Sequence, residues 1–234
     1  MSETYPMQPV GLVRSGFREK FGIPRQPGLV PAAEATIELL APANQPEAVR
    51  GLDGFSHLWL VFVFHACPAG EWHATVRPPR LGGNERVGVF ASRSPFRPNR
   101  IGLSLVKLEG VDIRPGGVSL RVSGADLLDG TPVLDLKPYL PYVEALPEAR
   151  GGFAPAAPES RLAVRFSAAA EAVLAARTDL PRLRELIGQL LALDPRPATC
   201  REEDRLFGFR LHDVDVRWRV AGGEAIVEEL GATQ

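Results

Sequence analysis

"SHLWLVFVFH", residues 56–65, decides how the chain is read. Leu58, Leu60, Phe62 and Phe64 occupy one parity and Trp59, Val61 and Val63 the other, so an extended strand here is apolar on both faces. Such a strand sits centrally in a sheet, with its second face covered by another layer or by a partner subunit. On both sides of it lie short runs of the same character: "PVGLVR" (9–14), "ATIELL" (35–40), "ERVGVFASR" (85–93), "GLSLVKLEGV" (102–111), "VSLRVSG" (118–124) and "TPVLDLK" (131–137). Each is bounded by Gly, Pro, Asn or Asp, the spacing of an all-β sandwich or barrel. "PGG" (115–117) and "LLDGTP" (127–132) read as hairpin turns.

Composition shifts at "PEARGGFAPAAPESR" (147–161), a Pro-, Gly- and Ala-rich stretch that reads as a linker. Beyond it "SAAAEAVLAAR" (167–177) is Ala-rich behind a capping-type Ser167. "DLPRLRELIGQLLALDP" (179–195) places Leu183, Leu186, Ile187, Leu190 and Leu191 at helical spacing after Asp179 and Pro181. Strand-like alternation returns over residues 205–230, with a turn at Gly222 and Gly223. The reading is mainly β: a β-rich domain over residues 1–146, a linker over 147–160 and a smaller α+β domain over 161–234.

The bulk properties exclude more than they assign. The 234 residues are 45% hydrophobic and 24% charged, with net charge −1 and raised Pro and Gly (22 and 23), as in a globular protein with many turns. No apolar stretch nears the roughly 18–20 residues that span a membrane, and the N-terminus lacks a signal-peptide pattern. Cys67 and Cys200 form no CxxC pair, so reduced thiols and a cytoplasmic location are expected. Dinucleotide and P-loop glycine fingerprints are absent, as is a GxSxG elbow. His57 and His65 share a strand face but lie about 27 Å apart at roughly 3.4 Å per residue, so no metal site is expected of them.

Charge is uneven. From Trp72 to Lys107 there are seven basic residues against Glu85 alone, a net of +6 in a chain totalling −1. Charge by itself leaves open whether these arginines face an anion or pair with acids elsewhere in the fold. Their densest cluster is "SRSPFRPNRIG" (92–102), where Pro95 and Pro98 stiffen the backbone and bias Ser94 and Arg97 to extended conformations. A stiff loop holds a guanidinium at low entropic cost, and arginine grips carboxylate or phosphate with parallel hydrogen bonds. "GADLLDGTPVLDLKPYLPY" (124–142) supplies Asp126 and Asp129 around a turn, then Asp135, Lys137 and Tyr139 on one strand face. "KFGIPRQPGLVP" (20–31) is a third stiff loop, with Arg25 and Gln26. Three rigid polar loops of one β domain can meet at one end of a barrel.

Together, "FGIPRQPGLV", "FSHLWLVFVFH", "RPPRLGGNERVGVFASRSPFRPNRIGLSLV", "DLLDGTPVLDLKPYLPY" and "DPRP…FGFRLHDVDVRW" closely resemble the TsaA-like (TrmO-type) family, in order and over nearly the whole chain. The resemblance implies a single-sheet β-barrel and a homodimer that uses S-adenosylmethionine to methylate the exocyclic nitrogen of threonylcarbamoyladenosine beside the tRNA anticodon. It implies that Gln26, Pro27, Gly28, His65, Arg93, Leu103 and Asp126 line the cofactor pocket. Arg97, Asn99 and Arg100 then face the tRNA anticodon stem-loop, and Asp135, Lys137 and Tyr139 are candidates to polarise or deprotonate the acceptor. Two rivals stand beside this reading: a non-catalytic β-barrel that binds RNA or a small anion, and a methyltransferase of the same fold with a different acceptor.

Overall fold

The computed structural model describes residues 3–68, 70–159, 162–197, 200 and 205–232. Strands β1 (Gly11–Ser15), β2 (Ala35–Leu39), β3 (His57–Val63), β6 (Ile101–Arg114), β7 (Gly117–Ser123) and β8 (Pro132–Pro138) close into an antiparallel barrel. The order around it is β1-β2-β7-β6-β3-β8, and β4 (Thr75–Val76) with β5 (Val87–Gly88) forms a separate two-stranded ribbon. As its composition suggests, β3 is central, pairing with β6 from His57↔Lys107 to Val63↔Ile101 and with β8 on its other edge. Leu58, Leu60 and Phe62 point inward and pack with Val13, Ile37, Val106, Leu120 and Val133. Burying each such side chain stabilises the fold by roughly 1.5–3 kcal/mol. The opposite parity of β3 is only half-buried, so within one chain the expected second cover is partial. Trp59 lies edge-on to Tyr139 and donates its indole N–H to Glu144 of the short helix α1 (Pro141–Glu144).

Two local expectations fail for identifiable reasons. Residues 85–93 do not run as one strand: β5 ends at Gly88 and a 3-10 turn follows at Val89–Ala91. Ser92 bends the chain there, because its amide and its hydroxyl both donate to the Val89 carbonyl (3.2 and 2.8 Å). "LLDGTP" is a turn but not a hairpin, since β7 and β8 are not neighbours in the barrel. It crosses the barrel end and docks on β1, with Asp129 N donating to Phe17 O (2.9 Å), Gly130 N to Val13 O (2.8 Å) and Ser15 N to the Asp129 carboxylate (3.0 Å).

The remainder is a mixed sheet flanked by helices. Strands β9 (Ala163–Phe166), β10 (Phe207–Leu211), β11 (Val214–Ala221) and β12 (Glu224–Ala232) lie in the order β10-β11-β12-β9, with β9 parallel to β12. Helix α2 (Ala168–Ala176) is capped as expected, the Ser167 hydroxyl accepting from Ala170 N at 3.0 Å. Helix α3 (Leu183–Ala192) buries all five of its predicted apolar positions. It starts later than Asp179 suggests, because Arg177 engages that carboxylate instead (2.8 and 2.7 Å). Among the described residues no helix is long and apolar enough to cross a membrane. The expected end of the linker at 160 and start of the C-terminal domain at 161 lie outside the described residues. So do 198–199, 201–204 and 233–234 of that expected domain.

The segment between β1 and β2 joins the two cores. Phe17, Val30, Ala32 and Ala33 are buried with α3 and the mixed sheet rather than with the barrel. Hydrogen bonds reinforce this, with His212 N donating to Gly16 O (2.6 Å) and Ala32 N to the Gln189 side chain (2.9 Å). The same segment is tied to the barrel through Gly28 N to Gly124 O (2.8 Å) and Ala125 N to Ala33 O (3.0 Å). Gly124 is at φ +72, and a Cβ there would lie 3.2 Å from Gly28 Cα. Gly124→Ala is therefore expected to lose about 1–2 kcal/mol in urea unfolding and to speed amide exchange at Gly28. Gly28→Ala, whose Cβ would meet nothing within 4 Å, carries the φ strain without the clash and is the control. Equal effects of the two substitutions would show that the close approach is unimportant.

Candidate active site

The three stiff loops do meet, around a cavity of about 650 Å³ at one end of the barrel. Its apolar part comes from Phe62, Phe64, Ile101, Leu103 and Leu127, and its polar part includes Gln26, His65, Arg93, Ser104 and Asp126. Lys20, Arg25 and Arg97 also line it, and Asp126 is the one carboxylate among the described lining residues.

Asp126 and His65 are set by the strand ends they follow, and Gln26 and Arg93 by their loops. Asp126 follows β7, and its carboxylate accepts from the hydroxyl of Ser104 at 2.6 Å. Ser104 stands on the inward parity of β6 and is 1% exposed. Burial pushes the Asp126 carboxyl up to about 6, opposed by the Ser104 hydrogen bond and the positive charge of Arg93. His65 sits where β3 turns, its amide donating to Val63 O at 2.7 Å. Burial first, then the charge of Lys20, lowers its imidazole below the ordinary histidine value, against the pull of Asp129. Arg93 donates to the Gln26 side-chain oxygen at 2.6 Å, joining the arginine loop to the 20–31 loop.

That bridge stands between two spaces. Gln26 and Arg93 also line a second cavity of about 440 Å³, with Pro27, Gly28, His57, Trp59, Leu105, Lys107 and Gly124. Of the cofactor candidates, Gln26, His65, Arg93, Leu103 and Asp126 converge on the larger cavity, and Pro27 and Gly28 lie on the far side of the bridge. Arg97 lines the larger cavity and Asn99 lines neither. Arg100, at φ +49, donates to Cys67 O at 2.7 Å and so ties its loop to the turn after β3. Asp135 and Lys137 pair with each other at 3.2 Å on the exposed face of β8 and line neither cavity. Tyr139 lies outside both but packs edge-on against His57 and Trp59, which line the second.

The arginines of the 72–107 segment have no ion-pair partner among the described residues. Among the described residues, none of Arg77, Arg80, Arg86, Arg93, Arg97 and Arg100 has a carboxylate within 4.0 Å. Where their N–H groups are engaged, the acceptors are neutral: Ala156 O for Arg80, the Thr75 hydroxyl for Arg86 and the Ser92 and Ser94 carbonyls for Arg97. In the turn after β7, Asp126 accepts from Ser104 and feels the charge of Arg93 without an ion pair, and Asp129 is held by Arg18 and Ser15 N. Ser104, Lys20 and the outer-face pair His57 and Trp59 escaped the sequence reading. Ser104 alone left a signal, a hydroxyl at an inward parity between Gly102 and Val106.

A closed barrel whose end cavity holds a half-buried carboxylate, a bridged arginine and further cationic side chains suits a small molecule that carries charge. Comparison with known proteins agrees. The tRNA-methyltransferase O N-terminal domain family matches residues 12–145, and the TrmO C-terminal domain family matches residues 159–233. The tRNA (adenine(37)-N6)-methyltransferase of Escherichia coli is 49% identical over 231 residues, covering 97% of this chain and 98% of that protein. A Pseudomonas aeruginosa protein named "Putative S-adenosylmethionine-dependent methyltransferase RcsF" is 51% identical over 220 residues, 92% of each chain. The crystal structure of TrmO from Pseudomonas aeruginosa superposes with a TM-score of 0.82 at 43% identity, covering 98% of this chain and 99% of that one. The chain belongs to the tRNA-methyltransferase O family.

Asp126 also has a stability consequence. The folded chain holds that proton up to about pH 6, whereas the unfolded chain releases it near 3.8. Stability is therefore lost as pH rises from about 4 to about 6, and the loss is complete above that. Asp126→Asn keeps an acceptor for Ser104 but carries no charge, so it should be more stable than wild type at pH 8 by on the order of 1–3 kcal/mol. The two should converge near pH 4. Urea titrations at both values check this, and equal stability at pH 8 would show the carboxylate to be well solvated.

Proposed function

We propose that this chain methylates N6 of adenine 37 in tRNA with S-adenosylmethionine as donor, taking threonylcarbamoyladenosine as the acceptor and working as a homodimer. The observation that carries the reading is the convergence of Asp126, His65 and Arg93 in one cavity, within a basic segment whose arginines have no carboxylate partner among the described residues. The bound cofactor supplies an electrophilic methyl group on a sulfonium centre. The residues present fit such a molecule: Phe62, Leu103 and Leu127 offer apolar surface, and Arg93 beside Gln26 suits a carboxylate. Asp126 suits hydroxyls or an ammonium group. Gln26, Pro27, Gly28, His65, Arg93, Leu103 and Asp126 make up the proposed cofactor set. Arg97 and Asn99 face the RNA, and Arg100 holds their loop in place.

The acceptor nitrogen is a weak nucleophile because a carbonyl group is attached to it, and it must lose its proton as the new N–C bond forms. Our candidate to take that proton is Asp126, the carboxylate among the described residues that line the cavity. Asp135, Lys137 and Tyr139, which the sequence pattern offers for the step, lie outside both cavities. The homodimer draws support from Tyr142, Val143 and Leu146, which are 83%, 54% and 59% exposed around α1, beside the half-covered face of β3.

The function is tested by digesting tRNA from cells with and without this protein and comparing the nucleosides, alongside thermal shifts with S-adenosylmethionine. Loss of the methylated nucleoside together with stabilisation by the cofactor is expected. Stabilisation with unchanged nucleosides would point to another acceptor, and no stabilisation to a non-catalytic binding barrel. Asp126→Asn should slow single-turnover methylation about 10²–10⁴-fold, while Asp135→Asn stays near wild type. The wild-type rate should rise with pH through about 6 as Asp126 ionises, and the variant should lose that limb. The reverse ranking of the two variants would return the proton to Asp135.

A further inference from the structure

Phe90 is 75% exposed, although it stands on a firmly held turn. Its neighbour Val89 is 2% exposed, Val89 N donates to Ala74 O at 3.0 Å, and Ser92 binds the Val89 carbonyl twice. A rigid frame thus holds a phenyl ring out in water. One exposed phenylalanine is ordinary, but the company of this one is not. The guanidinium of Arg97 lies over the ring, 5.9 Å from its centroid, and Arg97 also lines the large cavity. The ring therefore lies next to a residue of the cavity lining. Arg77, Arg80 and Arg86 in the same basic segment have no carboxylate partner among the described residues. Trp72, 51% exposed, belongs to it too.

We propose that Phe90, with Arg97 over its ring, is a stacking platform for an unpaired nucleotide of the RNA loop next to the target adenine. The proposal rests on the tRNA reading above. An adenine that enters the cavity must leave its base stack, and its neighbour loses a stacking partner. Aromatic rings and guanidinium planes replace such partners, and single-stranded RNA is recognised in this way. Charge favours RNA over a protein partner: the 72–107 segment carries net +6, and among the described residues its arginines have no carboxylate partner. Phe90 is also separate from every residue assigned to the cofactor, so platform and chemistry can be tested apart.

The test uses the full-length protein, S-adenosylmethionine, and tRNA purified from cells lacking the enzyme. Phe90→Ala, Phe90→Leu and Phe90→Trp are compared for tRNA affinity, methylation rate and cofactor affinity. Because the ring is exposed, all three variants should melt at the wild-type temperature. Alanine and leucine should each weaken tRNA binding about tenfold or more, tryptophan should retain it, and cofactor affinity should stay unchanged in all three. If leucine binds as well as phenylalanine, the contact is apolar rather than stacked and the proposal fails. It fails equally if alanine binds tRNA like wild type, or if alanine instead shifts the sedimentation coefficient, which would make the ring a contact between copies of the chain. Should the wild-type protein leave tRNA unmethylated, the functional reading itself is lost. A wild type that methylates tRNA beside an unaffected alanine variant removes only the platform.

Discussion

Gly28 N donates to Gly124 O, and Ala125 N donates to Ala33 O, so the 16–33 segment is fastened to the start of the Asp126 turn at two points. The apolar residues of the same segment are buried against α3 and the mixed sheet. One stretch of chain is therefore held by both cores, and it carries Lys20, Arg25 and Gln26 to the cavity wall. From there the order propagates: Gln26 receives Arg93, which fixes the end of the arginine loop, and Arg100 ties the far end of that loop to Cys67. Removing the close approach at Gly124 would loosen every later link, because none of these loops has a ladder of its own.

Electrostatics at the mouth is arranged against stability. A carboxylate is kept in a place that raises its proton affinity, and among the described residues six arginines of the 72–107 segment have no carboxylate within 4.0 Å, although the chain contains 28 acids. A fold optimised for its own sake would pair these groups or move them into water. Elsewhere the same chain does pair them: Arg177 holds Asp179 and Asp213, and Arg182 holds Glu34 and Glu185. The contrast between these paired arginines and those of the 72–107 segment is the electrostatic mark of a surface that meets an anion.

Much of this was legible in the residues. β3 was readable because six consecutive apolar residues bounded by turn signals leave little freedom, and α3 because its five buried side chains recur at helical spacing. The basic segment was visible as composition, but whether its charges were neutralised could not be seen until the acids were located. Where the reading went astray, local pattern was overruled by something distant. Residues 85–93 alternate like a strand, yet Ser92 turns them, and "LLDGTP" looks like a hairpin although its flanking strands pair with other partners. Asp135, Lys137 and Tyr139 share a face as their spacing requires, but the barrel turns that face away from the cavity. Asp126 lay in the same motif, and only closure of the sheet shows which of the two aspartates looks inward.

Among the described residues, the helices and mixed sheet of the C-terminal region supply none to either cavity, but they pack against the loop that does. A proline- and glycine-punctuated loop such as 20–31 has few backbone hydrogen bonds of its own, so its conformation must be imposed from outside. Ile23 and Leu29 pack against the second core while Gln26, between them, reaches toward Arg93. The loop is thus anchored on its apolar residues and works through its polar ones. A barrel alone could bind a charged ligand in that cavity. Holding a bridged arginine and a half-buried carboxylate in fixed relation while an RNA presses on the rim requires the second core behind the loop.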